Sequence, residues 1–279
     1  MEILPADRFT FEELTEAYNQ TRVDYVVPMP MNVAKLREYS RVYDVSLSHS
    51  VVAVGDELIL GLGMLGMRED RCWITRLGVL PYGRRLGTGG ALMTALIEQG
   101  THQNLSQVWL EVIKGNDPAH RMFTRFGFVE TRELIVARRP PTVENLTPPL
   151  EIEQVTTLDH EEAVILLSHR KKRPNWLNET ETMQNVHNLS GLLVETKGGG
   201  RGWVTYHAGL LQLTRIIVEV AAGDPAAVTA TVLHILHQRH KRQDAIAENV
   251  PDDEQWSGYE QAGYFDSFRR IEMVLELID

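Results

Sequence analysis

The stretch Val79-Leu80-Pro81-Tyr82-Gly83-Arg84-Arg85-Leu86-Gly87-Thr88-Gly89-Gly90-Ala91 decides how this chain is read. An apolar run ends at Pro81, and a tight turn carrying Gly87, Gly89 and Gly90 feeds directly into a helical pattern. The first N–H groups of a helix have no partner inside it. With the positive end of the helix dipole they form an anion site. Glycine lets a phosphate approach that backbone with no Cβ in the way. Arg84 and Arg85 add charge-assisted donors beside the same turn, so a diphosphate suits such a nest. No Gly-Lys-Ser/Thr follows, which excludes a P-loop, and the glycines are misplaced for a dinucleotide-binding Gly-x-Gly-x-x-Gly.

Upstream of the turn, residues 50–54, 58–67 and 72–80 read as three strands joined at Gly55-Asp56-Glu57 and at Glu69-Asp70, an antiparallel meander. Thr10, with Glu13 three residues on, is a capping box that opens a helix. Residues 33–43 give a second helix, with Leu36, Tyr39 and Tyr43 on one face. Downstream come a helix at 90–100, a strand at 108–113, a helix at 117–126 and a strand at 128–137. Strands first and a βαβαβ run after them make an α/β (α+β) fold, a mixed and mostly antiparallel sheet flanked by helices.

The whole chain has 279 residues, 43% of them hydrophobic and 24% charged, with a formal charge of −10. Those fractions exclude disordered and collagen-like classes, and the length predicts two domains. The proline-rich residues 140–149 read as a linker, which divides the chain into domains at 1–139 and 150–279. Residues 1–140 carry 16 basic and 17 acidic side chains, and residues 141–279 carry 12 and 21, so the acidity lies in the second part. That balance argues against a nucleic-acid partner. No apolar run is long enough to span a membrane, and no secretory signal is visible at residues 1–7. The lone Cys72, in the apolar run Cys72-Trp73-Ile74, reads as core and suits a reducing compartment, so a cytoplasmic protein is expected.

Two spaced motifs carry a family resemblance. Residues 79–89 are similar to the acyl-CoA-binding motif of the GNAT superfamily of N-acetyltransferases, Arg/Gln-x-x-Gly-x-Gly/Ala, with Arg84, Gly87 and Gly89 at its defining positions. Asn116-Asp117-Pro118-Ala119-His120-Arg121-Met122-Phe123-Thr124-Arg125-Phe126-Gly127-Phe128 resembles the next motif, Asn-x-x-Ala-x-x-Leu-Tyr-x-x-x-Gly-Phe. The resemblance covers residues 50–137. It implies acetyl-CoA as cosubstrate, with its diphosphate cradled by Arg84, Arg85, Leu86, Gly87, Thr88, Gly89 and Gly90. It further implies a pantetheine arm bonded to the backbone of Leu77 and Val79 and touched by Asn116, with Phe123 beside the thioester.

Acetyl transfer to an amine needs a deprotonated nucleophile and a stabilised oxyanion, and proximity supplies much of the rate. Glu111, in Val108-Trp109-Leu110-Glu111-Val112-Ile113, is the candidate base. The residues alone leave it equally a carboxylate on the solvent face of an edge strand; the resemblance implies the base. At Phe123 the chain departs from the family's tyrosine, the general acid, so that proton has no donor there. Tyr82, Tyr25 and water are the substitutes. The loop from Asp24 to Asn32 would form a wall of the acceptor site, with Asp24 and Tyr25 meeting the amine, or would pack on the core.

Residues 150–279 repeat the order of elements and look like a second, degenerate GNAT-type fold. Tyr259-Glu260-Gln261-Ala262-Gly263-Tyr264 echoes residues 123–128. The phosphate turn is gone: Ala221-Ala222-Gly223-Asp224-Pro225 brings a carboxylate and removes a donor, so no CoA is expected there. The first half is one strand short, and a strand from the second half would cover that edge. The basic run 169–173 reads as solvated surface. His234, His237 and His240, without cysteines nearby, do not make a zinc site, and no metal is expected. The expectation is a monomeric tandem acetyltransferase acting on a small-molecule or peptide amine. A CoA-binding sensor and a structural scaffold are the alternatives.

Overall fold

In the computed structural model, which describes residues 1–24, 27, 29–142 and 147–277, the capping box forms as its residues require. The Glu13 amide donates to Thr10 Oγ1 at 3.2 Å and the Thr10 amide donates to the Glu13 carboxylate at 2.8 Å, opening α1 (Phe11–Gln20). Asn32 Oδ1 accepts from the Lys35 amide to start α2 (Val33–Val42). Leu14, Tyr18 and Leu36 of these helices pack on Val52, Leu62 and Met64. The alternate residues Val51, Ala53 and Leu65 point the other way, into a layer with Leu92, Met93 and Leu96, as a pleated strand demands.

Compact packing divides the chain into Met1–Thr131 with Ile271–Asp279, and Arg132–Arg270. This differs from a linear split at residues 139 and 150, because each unit takes a strand from the end of the other half. The proline-rich segment falls inside the second unit's span, and its residues 143–146 lie outside the described ones.

The first unit orders its strands β1 (Glu2–Pro5), β2 (Val51–Gly55), β3 (Leu58–Arg68), β4 (Arg71–Val79) and β5 (Gln107–Ile113), antiparallel except that β4 and β5 run parallel. β1 went unread in the sequence, being four residues with a proline and no alternation. Two helices, α3 (Thr88–His102) and α4 (Asp117–Arg125), follow β4 and β5. The chain's last residues cover the open edge beside β5, as the missing strand required. Leu277 donates its amide to Ser106 O at 2.8 Å, Thr131 Oγ1 donates to Glu272 O at 3.1 Å, and Met273 joins the core around Val108 and Phe128.

The second unit orders its strands β6 (Val129–Arg139, from Arg132), β11 (Asp244–Pro251), β10 (Gln212–Ala222), β9 (Arg201–Ala208), β8 (Leu189–Thr196) and β7 (Ile152–Leu158). α5 (His160–Ser168) and α6 (Thr180–Asn185) pack around Trp203 and Ile217. α7 (Pro225–Arg239) is buried along nearly its whole length, and α8 (Trp256–Gln261) packs beside it. The remaining strand, β12 (Phe265–Glu276), gives residues 265–270 to this unit and residues 271–276 to the first. Among the described residues no helix is long and apolar enough to cross a membrane.

Candidate active site

The site of the first unit begins with a parting of strands. β4 and β5 pair from Arg71–Gln107 to Ile74–Leu110 and no further. At that point β4 carries a bulge against β3, with Arg76 in the left-handed region at φ 54°. Beyond it, the Leu77 carbonyl accepts from Arg22 Nη2 at 3.2 Å and the Val79 carbonyl from Arg84 Nε at 3.3 Å. The strand end thus offers backbone acceptors that side-chain donors now occupy.

Past Pro81 the backbone turns through Arg85 at φ 64° and Gly87 at φ 79°, a left-handed residue, then one intervening residue, then another. Gly87 serves as N-cap of α3 with no side-chain cap, and the first helical bond runs from the Ala91 amide to its carbonyl. The amides of residues 85–90 donate to no acceptor among the described residues. A Cβ added at Gly87 or Gly90 would meet nothing within 4 Å. Positive φ explains Gly87. No packing in the fold explains Gly90, and the open space over it leaves room for an anion to approach. Thr88 is fixed from beneath, its hydroxyl donating to Gly83 O at 2.9 Å. Leu86 stays exposed.

Glu111 is the first β5 residue past the last β4 pair, at the mouth of the parting. It is half-buried rather than set on a free solvent face, and Trp73 Nε1 donates to its Oε2 at 2.7 Å. Trp73 belongs to a ring cluster with Tyr39 and Tyr43, at centroid distances of 6.3 and 5.9 Å. The Arg76 guanidinium lies 4.2 Å above the Tyr39 ring and donates to Tyr18 OH at 2.9 Å. Burial raises the Tyr39 phenol well above its ordinary pKa, so it stays protonated and bonded to Thr75 Oγ1 at 2.6 Å. The sequence reading missed Trp73, Tyr39 and Arg76 as site residues. Tyr39 and Tyr43, four apart on one helix face, were the available signal.

Asn116 stands at the head of α4, and its side chain makes no hydrogen bond with the described residues. Phe123 is packed into the core, its ring centroid 6.2 Å from that of Phe128. Of its proposed substitutes, Tyr82 donates its hydroxyl to Ile59 O at 2.8 Å, and Tyr25 lies outside the described residues. Asp24 is exposed and turned to Arg84, in a two-pronged pair whose Nη2–Oδ1 arm measures 2.7 Å. The carboxylate assigned to the amine therefore holds the guanidinium assigned to the diphosphate. The arginine keeps the Asp24 carboxyl below the usual carboxylate range.

Other singled-out residues serve the fold. Cys72 is fully buried, and burial pushes its thiol up to about 12. The two histidines of α7 and the one at its C-cap each engage a different group: His234 the Ala230 carbonyl, His237 the Tyr264 hydroxyl, and His240 both Gln243 and Tyr206.

Residues 11–128 match the model of the acetyltransferase (GNAT) family. Among solved structures, a GCN5-related N-acetyltransferase from Sphaerobacter thermophilus is similar at TM-score 0.72 and 15% identity, covering 99% of this chain and 94% of that one. A tandem GNAT protein from the clavulanic acid biosynthesis pathway is similar at TM-score 0.67 and 13% identity, covering 100% and 99%. A putative acetyltransferase from Pyrococcus horikoshii is similar at 0.59 and 14%, covering 99% and 89%. Comparison with curated protein sequences finds no match.

Proposed function

We propose, from the match of residues 11–128 to the acetyltransferase (GNAT) family, that the chain is a GNAT-superfamily acetyltransferase and that its first unit transfers acetyl from acetyl-CoA to a primary amine of a small molecule or peptide. One observation carries the reading: six successive amides, residues 85–90, without an acceptor among the described residues, beside open space over Gly90. A diphosphate would take those amides and the Arg84 and Arg85 guanidinium groups. The pantetheine arm would run along β4 from Leu77 to Val79, where its amide donors would replace those of Arg22 and Arg84. Asn116 would add a side-chain contact.

The thioester then meets the amine at the end of the β4–β5 pairing. Glu111 takes the proton of the attacking ammonium, directly or through one water. The nitrogen forms a bond to the carbonyl carbon, the C–S bond breaks, and the electron pair leaves on sulfur. The Trp73 N–H holds the carboxylate in one orientation, so Trp73 is a positioning residue. Phe123 gives no proton, so the departing thiolate takes, through solvent, the second proton that the nitrogen sheds as the amide forms.

Isothermal calorimetry with acetyl-CoA and steady-state assays on an amine panel test this. Glu111→Gln should lower kcat by about a hundredfold or more while the acetyl-CoA Kd stays within twofold. Phe123 favours a second reading, a CoA-binding sensor without chemistry. Tight acetyl-CoA binding with no acetylation of any amine would select that reading, and no binding at all would remove both.

A further inference from the structure

A cavity of about 1120 Å³ lies wholly within the second unit. It opens where β10 and β11 part. They pair only at Gln212–Asp244 and Leu213–Ala245, so the strands beyond become separate walls. The floor is apolar: Leu193, Trp203 and Ile217 line it and pack on Leu167 and Met183 of the two helices on that face. The rim is charged with both signs. The basic run 169–173, expected as plain solvated surface, stands on it, and so do the acids at 252–254. Lys172 and Asp253 meet across it at 3.2 Å.

Glu219 lines this cavity on the same strand face as Ile217, half-buried. Its carboxylate accepts no hydrogen bond from the described residues. The neighbouring charges act on it only through space: Arg170 and Lys172 favour ionisation and Asp253 opposes it, while burial outweighs them and holds the group above the ordinary carboxylate range. Arg170 is committed elsewhere, donating to Leu167 O at 3.0 Å and to Thr180 Oγ1 at 3.4 Å. Half-buried on the cavity wall and bonded to no described protein donor, the carboxylate presents its acceptors to whatever occupies the cavity.

We propose that this cavity is a small-molecule site separate from the acetyl-CoA site, for an amine with an apolar body whose ammonium docks on Glu219 while the body lies along Trp203 and Ile217. A carboxylate on the same molecule would face the basic rim. The volume matches or exceeds that of sites for drug-sized ligands, roughly 300–1,000 Å³. A diphosphate is disfavoured, because Asp224 already takes the Ala227 amide at 2.8 Å and Pro225 has no N–H to give. The site stands whether or not the first unit is an enzyme.

Calorimetry on the full chain with 2-phenylethylamine, L-phenylalanine and N-acetyl-L-phenylalanine tests it. The two amines should bind and the acetylated one should not. Glu219→Gln should weaken the amines roughly ten- to hundredfold with an unchanged circular dichroism spectrum. Leu193→Trp, which fills the floor, should abolish binding. The same binding must survive Glu111→Gln, which separates it from an acceptor site in the first unit. Equal binding of N-acetyl-L-phenylalanine, full affinity in Glu219→Gln, or failure of both amines would overturn the proposal.

Discussion

The two units share a frame down to single residues and differ at one corner. Each carries Thr-Arg at a strand bulge, Thr75-Arg76 and Thr214-Arg215, and both arginines sit at φ 54°. In each, parallel pairing to the next strand ends just before that bulge, at Ile74–Leu110 and at Leu213–Ala245. Each then enters a helix of 15 residues. Between strand and helix they diverge. The first unit spends a long glycine turn in which the amides of residues 85–90 meet no acceptor among the described residues. The second passes directly through Gly223 to Asp224, whose side chain caps the helix itself, and Pro225. Parting strands make a cleft in both, and on the proposed function the turn beside it decides whether a diphosphate can dock.

The strongest way to break that contrast is to give the first unit the second one's charge. Gly90→Asp sets a carboxylate into space where a Cβ meets nothing, in a helix's first turn, where an acid is well tolerated. Thermal stability should hold. Acetyl-CoA affinity should fall by about a hundredfold or more, since the new charge opposes the diphosphate and its hydrogen bonds are lost. Asp224→Gly should confer no CoA binding on the second unit, because the turn is still short and Pro225 still lacks its N–H. Calorimetry on both variants decides; unchanged affinity in Gly90→Asp would mean that the diphosphate does not lie on this helix start.

Much of this corner was legible beforehand. A glycine turn between an apolar run and a helical pattern dictates free amides through local geometry alone, and Thr10 with Glu13 dictates a cap in the same way. Glu111 was legible as a chemical type, but its Trp73 partner was not, because 38 residues separate them and only the β4–β5 register joins them. The same holds for Arg76 above Tyr39. The exchanged strands at residues 132–139 and 271–276 left a local trace only as a strand missing from the first half. The cavity at Glu219 left none, since it arises from strands and loops more than a hundred residues apart. The partner of Asp24 was not legible: its carboxylate faces Arg84, sixty residues on, and a loop's direction is not set by its composition.

Phe123 and Tyr259 sharpen the contrast next. They hold equivalent places before Gly127-Phe128 and Gly263-Tyr264, and the unit with the long glycine turn is the one without the hydroxyl. Phe123→Tyr should raise kcat by up to about tenfold, short of the full general-acid effect because a thiolate leaves readily unaided. It should also cost about 1 kcal/mol of stability, since the ring is buried beside Phe128. Tyr259→Phe should leave turnover unchanged. An equal loss of turnover in that variant would place chemistry in the second unit and undo the division of labour.

The smallest expected effect concerns Asp24. Its carboxylate and a diphosphate compete for the same Arg84 guanidinium, so acetyl-CoA must displace it to gain that contact. Asp24→Asn keeps the size of the side chain and removes the charge, and acetyl-CoA should then bind about two- to fivefold more tightly. The gain is modest because both partners are exposed and an ion pair in water is weak. It should shrink as salt rises, since screening weakens the competing pair in the parent protein. Acidification should reproduce it: Arg84 holds the Asp24 pKa down, so the pair persists until the pH falls below the usual carboxylate range and only then releases the guanidinium. If Asp24→Asn weakened acetyl-CoA binding instead, the pair would be holding Arg84 in place for the diphosphate rather than contesting it. Arg84→Ala separates the two roles, because in that background Asp24→Asn should have no effect on the competition.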